Sequence, residues 1–144
     1  MSKSNTFESD LLKLIFNGEP IANLADDSAT DPATTLTVAL HTADPGEAGD
    51  QSTSETAYTN YARIPVARTT GGWAVSGSNP TVVSPVAAID FPQCGATPGG
   101  PITHFSVGTG TDDVLLYSGT VTPNITLAEG VIPRLKTTST ISED

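Results

Sequence analysis

Residues 34–42 read TTLTVALHT, and their reading decides the fold. Leu36, Val38 and Leu40 alternate with Thr37, Ala39 and His41. Successive side chains of an extended chain point to opposite faces, so this period of two is a strand with one buried face. On that reading His41 lies on the polar side. YARIPVAR (61–68) repeats the alternation through Ala62, Ile64 and Val66. Pro65 has no N–H to give, which places this strand at an edge or a bulge. Further strands are predicted at WAVS (73–76), TVVS (81–84), VAAIDF (86–91), ITHFSVG (102–108), VLLYSGTVT (114–122) and VIPRLKTTSTI (131–141). Turn residues separate them, notably Ser78-Asn79-Pro80, Pro98-Gly99-Gly100-Pro101 and Gly110-Thr111-Asp112-Asp113. The pattern implies a mainly β chain: an antiparallel β-sandwich, jelly-roll-like, with one N-terminal α-helix. No helices lie between the strands, which excludes a βαβ fold.

The helix is residues 5–16, NTFESDLLKLIF. Asn5 is the expected cap, and Glu8 three places on completes a capping-box pattern. Phe7, Leu11, Leu14 and Ile15 form one apolar stripe, and Asn17-Gly18 stops the helix. The stripe must bury itself against the body of the protein or against a partner. An irregular connector, tacked down by Ile21 and Leu24, ends in the acidic stretch ADDSATDP (25–32). The 144 residues suit a single domain, 1–144, with the sandwich over 34–142. Residues 43–58 are the longest strand-free segment, and loops of that length in compact domains are usually functional or held by a partner.

Composition narrows the function classes. Apolar residues are 37% of the chain, with 13 Gly and 11 Pro, which suits short strands and many turns. Sixteen acidic against six basic residues give a net charge of −10. Such a surface repels phosphate backbones and anionic membranes, so no nucleic-acid or membrane partner is expected. No apolar stretch approaches a membrane span, and no secretory signal is visible. Cys94 is the single cysteine, so neither an intrachain disulfide nor a Cys-rich zinc site can form. In PQCG it reads as a small packed residue.

The residues offer little catalytic chemistry. Asp44, Glu47 and Asp50 in LHTADPGEAGDQ (40–51) are spaced by three, unlike the alternating oxygens of an EF-hand. A less regular calcium site stays open beside the simpler reading, in which Asp44-Pro45-Gly46 is a turn and the other carboxylates are solvated. Tyr58 and Tyr61, set among small polar residues, suit a recognition surface, sugars included, or equally a strand entering the sheet. His41 and His104 are the only histidines, and no spacing ties them into a zinc site. No GxSxG elbow or phosphate loop is present. Asn124-Ile125-Thr126 matches a glycosylation sequon, discounted without a secretion signal. The expectation is no enzyme, with no catalytic residues, no cofactor and no metal.

One resemblance covers nearly the whole chain. The stretch 40–68, LHTADPGEAGDQSTSETAYTNYARIPVAR, resembles a segment of a family of small structural proteins in tailed bacteriophages. IFNG followed by IANL, then WAVSG, FPQC, THFSVGTG and LLYSG, are similar to successive blocks of that family. Its members carry the label of tail fibre protein or resemble capsid decoration, or cement, proteins. The resemblance implies a virion protein made in the bacterial cytoplasm and brings no catalytic residues with it. A short, acidic chain without repeat or coiled coil favours cement on the outer capsid surface, bridging capsomers. Its partners would then be the major capsid protein and itself, as a dimer or trimer. A tail fibre, adaptor or receptor-binding role, glycan binding included, is the alternative. Candidate partner contacts are Phe7, Leu11 and Leu14 on the helix, and Asp44, Glu47 and Tyr58 in or beside the long loop.

Overall fold

The computed structural model describes residues 2–17, 20–24, 33–77 and 80–143. The chain forms β1 (Ser2–Lys3), α1 (Asn5–Asn17), β2 (Thr35–His41), β3 (Ile64–Ala67), β4 (Trp73–Ser76) and β5 (Thr81–Pro85). There follow β6 (Ile89–Asp90), β7 (Ile102–Gly108), β8 (Leu115–Ile125), β9 (Arg134–Leu135) and β10 (Ile141–Glu143). All pairings are antiparallel. The larger sheet runs β1-β8-β7-β2-β3, a second runs β10-β5-β4, and β6 pairs with β9 in a two-stranded ribbon. This is the expected mainly β, sandwich-like arrangement with a single short N-terminal helix. Among the described residues, no helix is long and apolar enough to cross a membrane.

The core lies where the expected faces meet. Val38 and Leu40 of β2 sit opposite Val107 and Phe105 of β7 and share one face. They cluster with Ile89, Phe91, Leu135 and Ile141 from the ribbon and the second sheet, with Trp73 and Val83 packed alongside. Cys94 joins the same cluster, 1% exposed. Pro65 does occupy an edge strand, because β3 is the last strand of the larger sheet.

Several local expectations change. The helix cap is Ser4, not Asn5: the Phe7 N–H donates to Ser4 Oγ at 3.2 Å, and the Glu8 N–H to the Ser4 carbonyl at 3.0 Å. Both residues are good caps, and tertiary bonds decide between them. Ser4 N–H donates to Leu116 O, and its hydroxyl to Leu115 O at 2.6 Å, which sets Ser4 at the helix entrance. The two-residue β1 before it has no periodic signature in the sequence. VAAIDF supplies only Ile89–Asp90 as strand, and VIPRLKTTSTI divides into β9 and β10 around a Lys136–Ser139 turn. Ile21 is buried and Arg68 donates to the Leu24 carbonyl, so the start of the connector is held to the body. Gly18, the stretch 25–32 and residues 78–79 lie outside the described residues.

Candidate functional site

The largest departure from the sequence reading is His41. It is 0% exposed, as is Leu40 beside it. The alternation is correct, but the second face is not open to solvent. Residues 43–58 fold back over it, pinned by Thr42 N–H to Ser54 O and Thr56 N–H to Leu40 O. Gln51, also 0% exposed, reaches across this face. Its Nε2 donates to Thr37 O at 2.9 Å and to Ser106 Oγ at 3.3 Å. Gly108 is required beneath it, since a Cβ there would lie 2.4 Å from the Gln51 amide and 2.3 Å from Val114 O.

His41 is bonded at both ring nitrogens: Nδ1 lies 2.9 Å from Thr53 O and Nε2 lies 2.8 Å from Ser106 Oγ. A carbonyl only accepts, so Nδ1 carries the proton and the Ser106 hydroxyl donates to Nε2. Burial lowers the His41 pKa below its ordinary value, with the Thr53 carbonyl acting the other way. The two histidines do meet, directly opposite one another on β2 and β7. His104 Nδ1 lies 2.8 Å from Thr103 Oγ1. The pair gathers no third ligand: among the described residues no group of three His, Cys, Asp or Glu is placed to hold a metal ion.

Beside this cluster runs an ion network. Arg63 donates through Nε and Nη2 to the two Glu55 oxygens, each at 2.7 Å, and through Nη1 to Asp113. These bonds hold the guanidinium pKa well above its ordinary value. Tyr61 OH donates to Glu55 at 2.8 Å and accepts the Leu40 N–H, and burial pushes its pKa up. The Tyr61 ring stacks on Phe91, 6.3 Å between centroids. Tyr58 meets Tyr61 edge to face at 5.3 Å and donates to Pro92 O. Of the two readings of these tyrosines, a recognition surface and a packed strand entrance, the geometry is that of packing.

The six sequence-derived contact residues fall into three groups. Phe7 and Leu11 are half-buried, and Phe7 meets the Tyr117 ring edge-on at 5.5 Å. The Leu14 side chain lies outside the described residues. Asp44 and Glu47 are exposed on the loop. Asp44 Oδ1 accepts the Gly46 N–H at 2.9 Å, and Gly46 has a φ of +72°, as the Asp-Pro-Gly turn requires. The Glu47 carbonyl accepts the Asn5 N–H, so loop and helix entrance are adjacent. Tyr58 is apart from these, 2% exposed in the core. Asp50 accepts from Ser52 and Thr53, and their hydroxyls hold its pKa below the usual carboxylate range.

A second polar region, absent from the sequence reading, is open. A groove of about 800 Å³ separates 119–125 of β8 from 134–142. β1 pairs with β8 at Tyr117 and Ser118, and beyond them this edge of β8 has no strand partner among the described residues. Thr120, Asn124, Thr138, Ser139, Thr140 and Ser142 line the groove, over a floor that includes Phe105, Val121 and Leu135. Arg134 and Lys136 also line it, and among the described residues no Asp or Glu does. Arg134 is clamped bidentately by Asp90 across the ribbon, Nε to Oδ1 and Nη2 to Oδ2, the latter at 2.8 Å. The available sequence signal was the density of Ser and Thr around two of the chain's six basic residues.

A family profile described as podophage GP4 fiber I protein gp80 matches residues 2–142. This chain belongs to that family. The fiber I match spans every β-strand but the last residue of β10. The chain is therefore a structural protein of a bacteriophage virion, as its resemblance implied. No curated protein sequence matches it.

Proposed function

We propose that this chain is a non-enzymatic subunit of a virion fibre or of the base that anchors one. The observation that carries this is the match to a fibre-protein family along residues 2–142. The side chains support it. Four residues that could do acid–base or nucleophilic work, His41, Ser106, Glu55 and Arg63, spend hydrogen bonds on holding the long loop to the sheet. A domain of this length has a radius of gyration of about 15 Å, so a fibre needs several copies in series or a further chain. Self-association belongs to this reading.

Capsid decoration is the second reading. It is favoured by the short, repeat-free, acidic chain with an exposed carboxylate loop at Asp44 and Glu47. In that role the protein would bridge capsomers and stabilise the expanded shell by mass action over many sites. Its partner would be the major capsid protein. One experiment separates the two: purified protein is mixed with tailless, undecorated heads and, separately, with tails of its own phage, and both are sedimented. Binding to tails alone supports the fibre reading. Saturable binding to heads, at a fixed ratio to the major capsid protein, replaces it with decoration.

A further inference from the structure

We infer that the groove between 119–125 and 134–142 is a binding site for an acidic saccharide. The first argument is charge. The protein carries a net charge of −10, yet two of its six basic residues line this one concavity and, among the described residues, no carboxylate does. Lys136 is exposed and makes no ion pair among the described residues. It is free to meet an anion.

The second argument is the type of donor. Saccharides present closely spaced hydroxyls that both donate and accept, and Thr120, Asn124, Thr138, Ser139, Thr140 and Ser142 offer matching groups. Arg134 adds fixed donors. Asp90 takes two of its N–H groups and holds the guanidinium plane in place, which leaves the others for a ligand. Apolar Val121 and Leu135 at the floor suit the C–H face of a sugar ring. The volume lies within the roughly 300–1,000 Å³ of small-ligand sites.

An extended acidic peptide is the rival occupant, since the β8 edge is unpaired here. The strand itself argues against it. Pro123 sits mid-edge without an N–H, and between Ile102 and His104 the β7 register skips across residues 121–124. A ladder of main-chain bonds would be interrupted at its centre. The side-chain hydroxyls carry no such defect.

The test is chemical-shift mapping on the 144-residue chain, titrated with oligogalacturonate, a neutral oligosaccharide of equal length and an oligoglutamate peptide. The expected result is shifts confined to the groove residues with the uronic-acid probe. Lys136→Gln should weaken that binding roughly tenfold, as loss of a charged hydrogen bond does, without moving resonances elsewhere. Raising salt from about 0.05 M to about 0.5 M should weaken it as well. Groove shifts with the peptide alone, equal binding of neutral and acidic sugars with no effect of Lys136→Gln, or no groove shifts at all, would each overturn the inference. Binding is read on the isolated protein, so its outcome is independent of whether the chain sits on head or tail.

Discussion

Leu40 and His41 are chain neighbours, both fully buried, on opposite faces of one strand. Leu40 is buried by the fold's main logic: two layers closing over apolar side chains. His41 is buried by a loop, with both ring nitrogens bonded and Ser106 bonded in turn to the Gln51 amide nitrogen, while Gln51 Oε1 is buried without a protein partner. The apolar face tolerates imperfect fit at a graded cost. The polar face is costlier to disturb, because each further broken bond leaves another buried group without a partner. A polar residue in a strand is therefore no sign of solvent when a long loop follows it.

The difference can be tested directly. Leu40→Ala should cost the most, about 3 kcal/mol from lost burial and the cavity left behind, read by urea unfolding. His41→Leu keeps most of the volume but strands the Ser106 hydroxyl and Thr53 carbonyl, and should cost about 2 kcal/mol. If it is neutral, the polar face is not a cooperative network. The next effect is pH dependence. The His41 pKa is lowered in the fold, so the unfolded chain binds the proton more readily. Stability attributable to His41 is then intact above its unfolded value of 6.5 and declines as pH falls toward the folded pKa. The slope is at most about 1.4 kcal/mol per pH unit. His41→Leu should remove that component from a series of denaturation curves between pH 7 and 5, while Leu40→Ala keeps it. Ser4→Ala should cost about 1 kcal/mol through the lost cap. Lys136→Gln, on the open groove, should change stability by less than about 0.5 kcal/mol.

These contrasts also show what a sequence can carry. Period-two runs located β2, β4, β7 and most of β8, because burial of one face by apolar residues is a local pattern. Of the two-residue strands, β1 escaped it, and β6 and β9 were read only as parts of longer runs, since all three are bounded by their partners and not by their own residues. The cap at Ser4 escaped for the same reason: β8 selects it over Asn5. Tyr58 was legible as an aromatic beside a long loop, but not as a core residue, because its burial depends on Phe91 and Pro92 more than thirty positions away. The groove is the extreme case. Its two walls are far apart in sequence, and neither carries a motif.

The entrance of the helix is riveted to the rest of the molecule. Ser4 N–H, Ser4 Oγ and Asn5 N–H bond to Leu116, Leu115 and Glu47 within two residues of chain. A mechanical pull on the helix would therefore reach the main sheet and the long loop together, through three bonds loaded in parallel. For a part of a virus particle, this is an anchorage that helix, sheet and loop share.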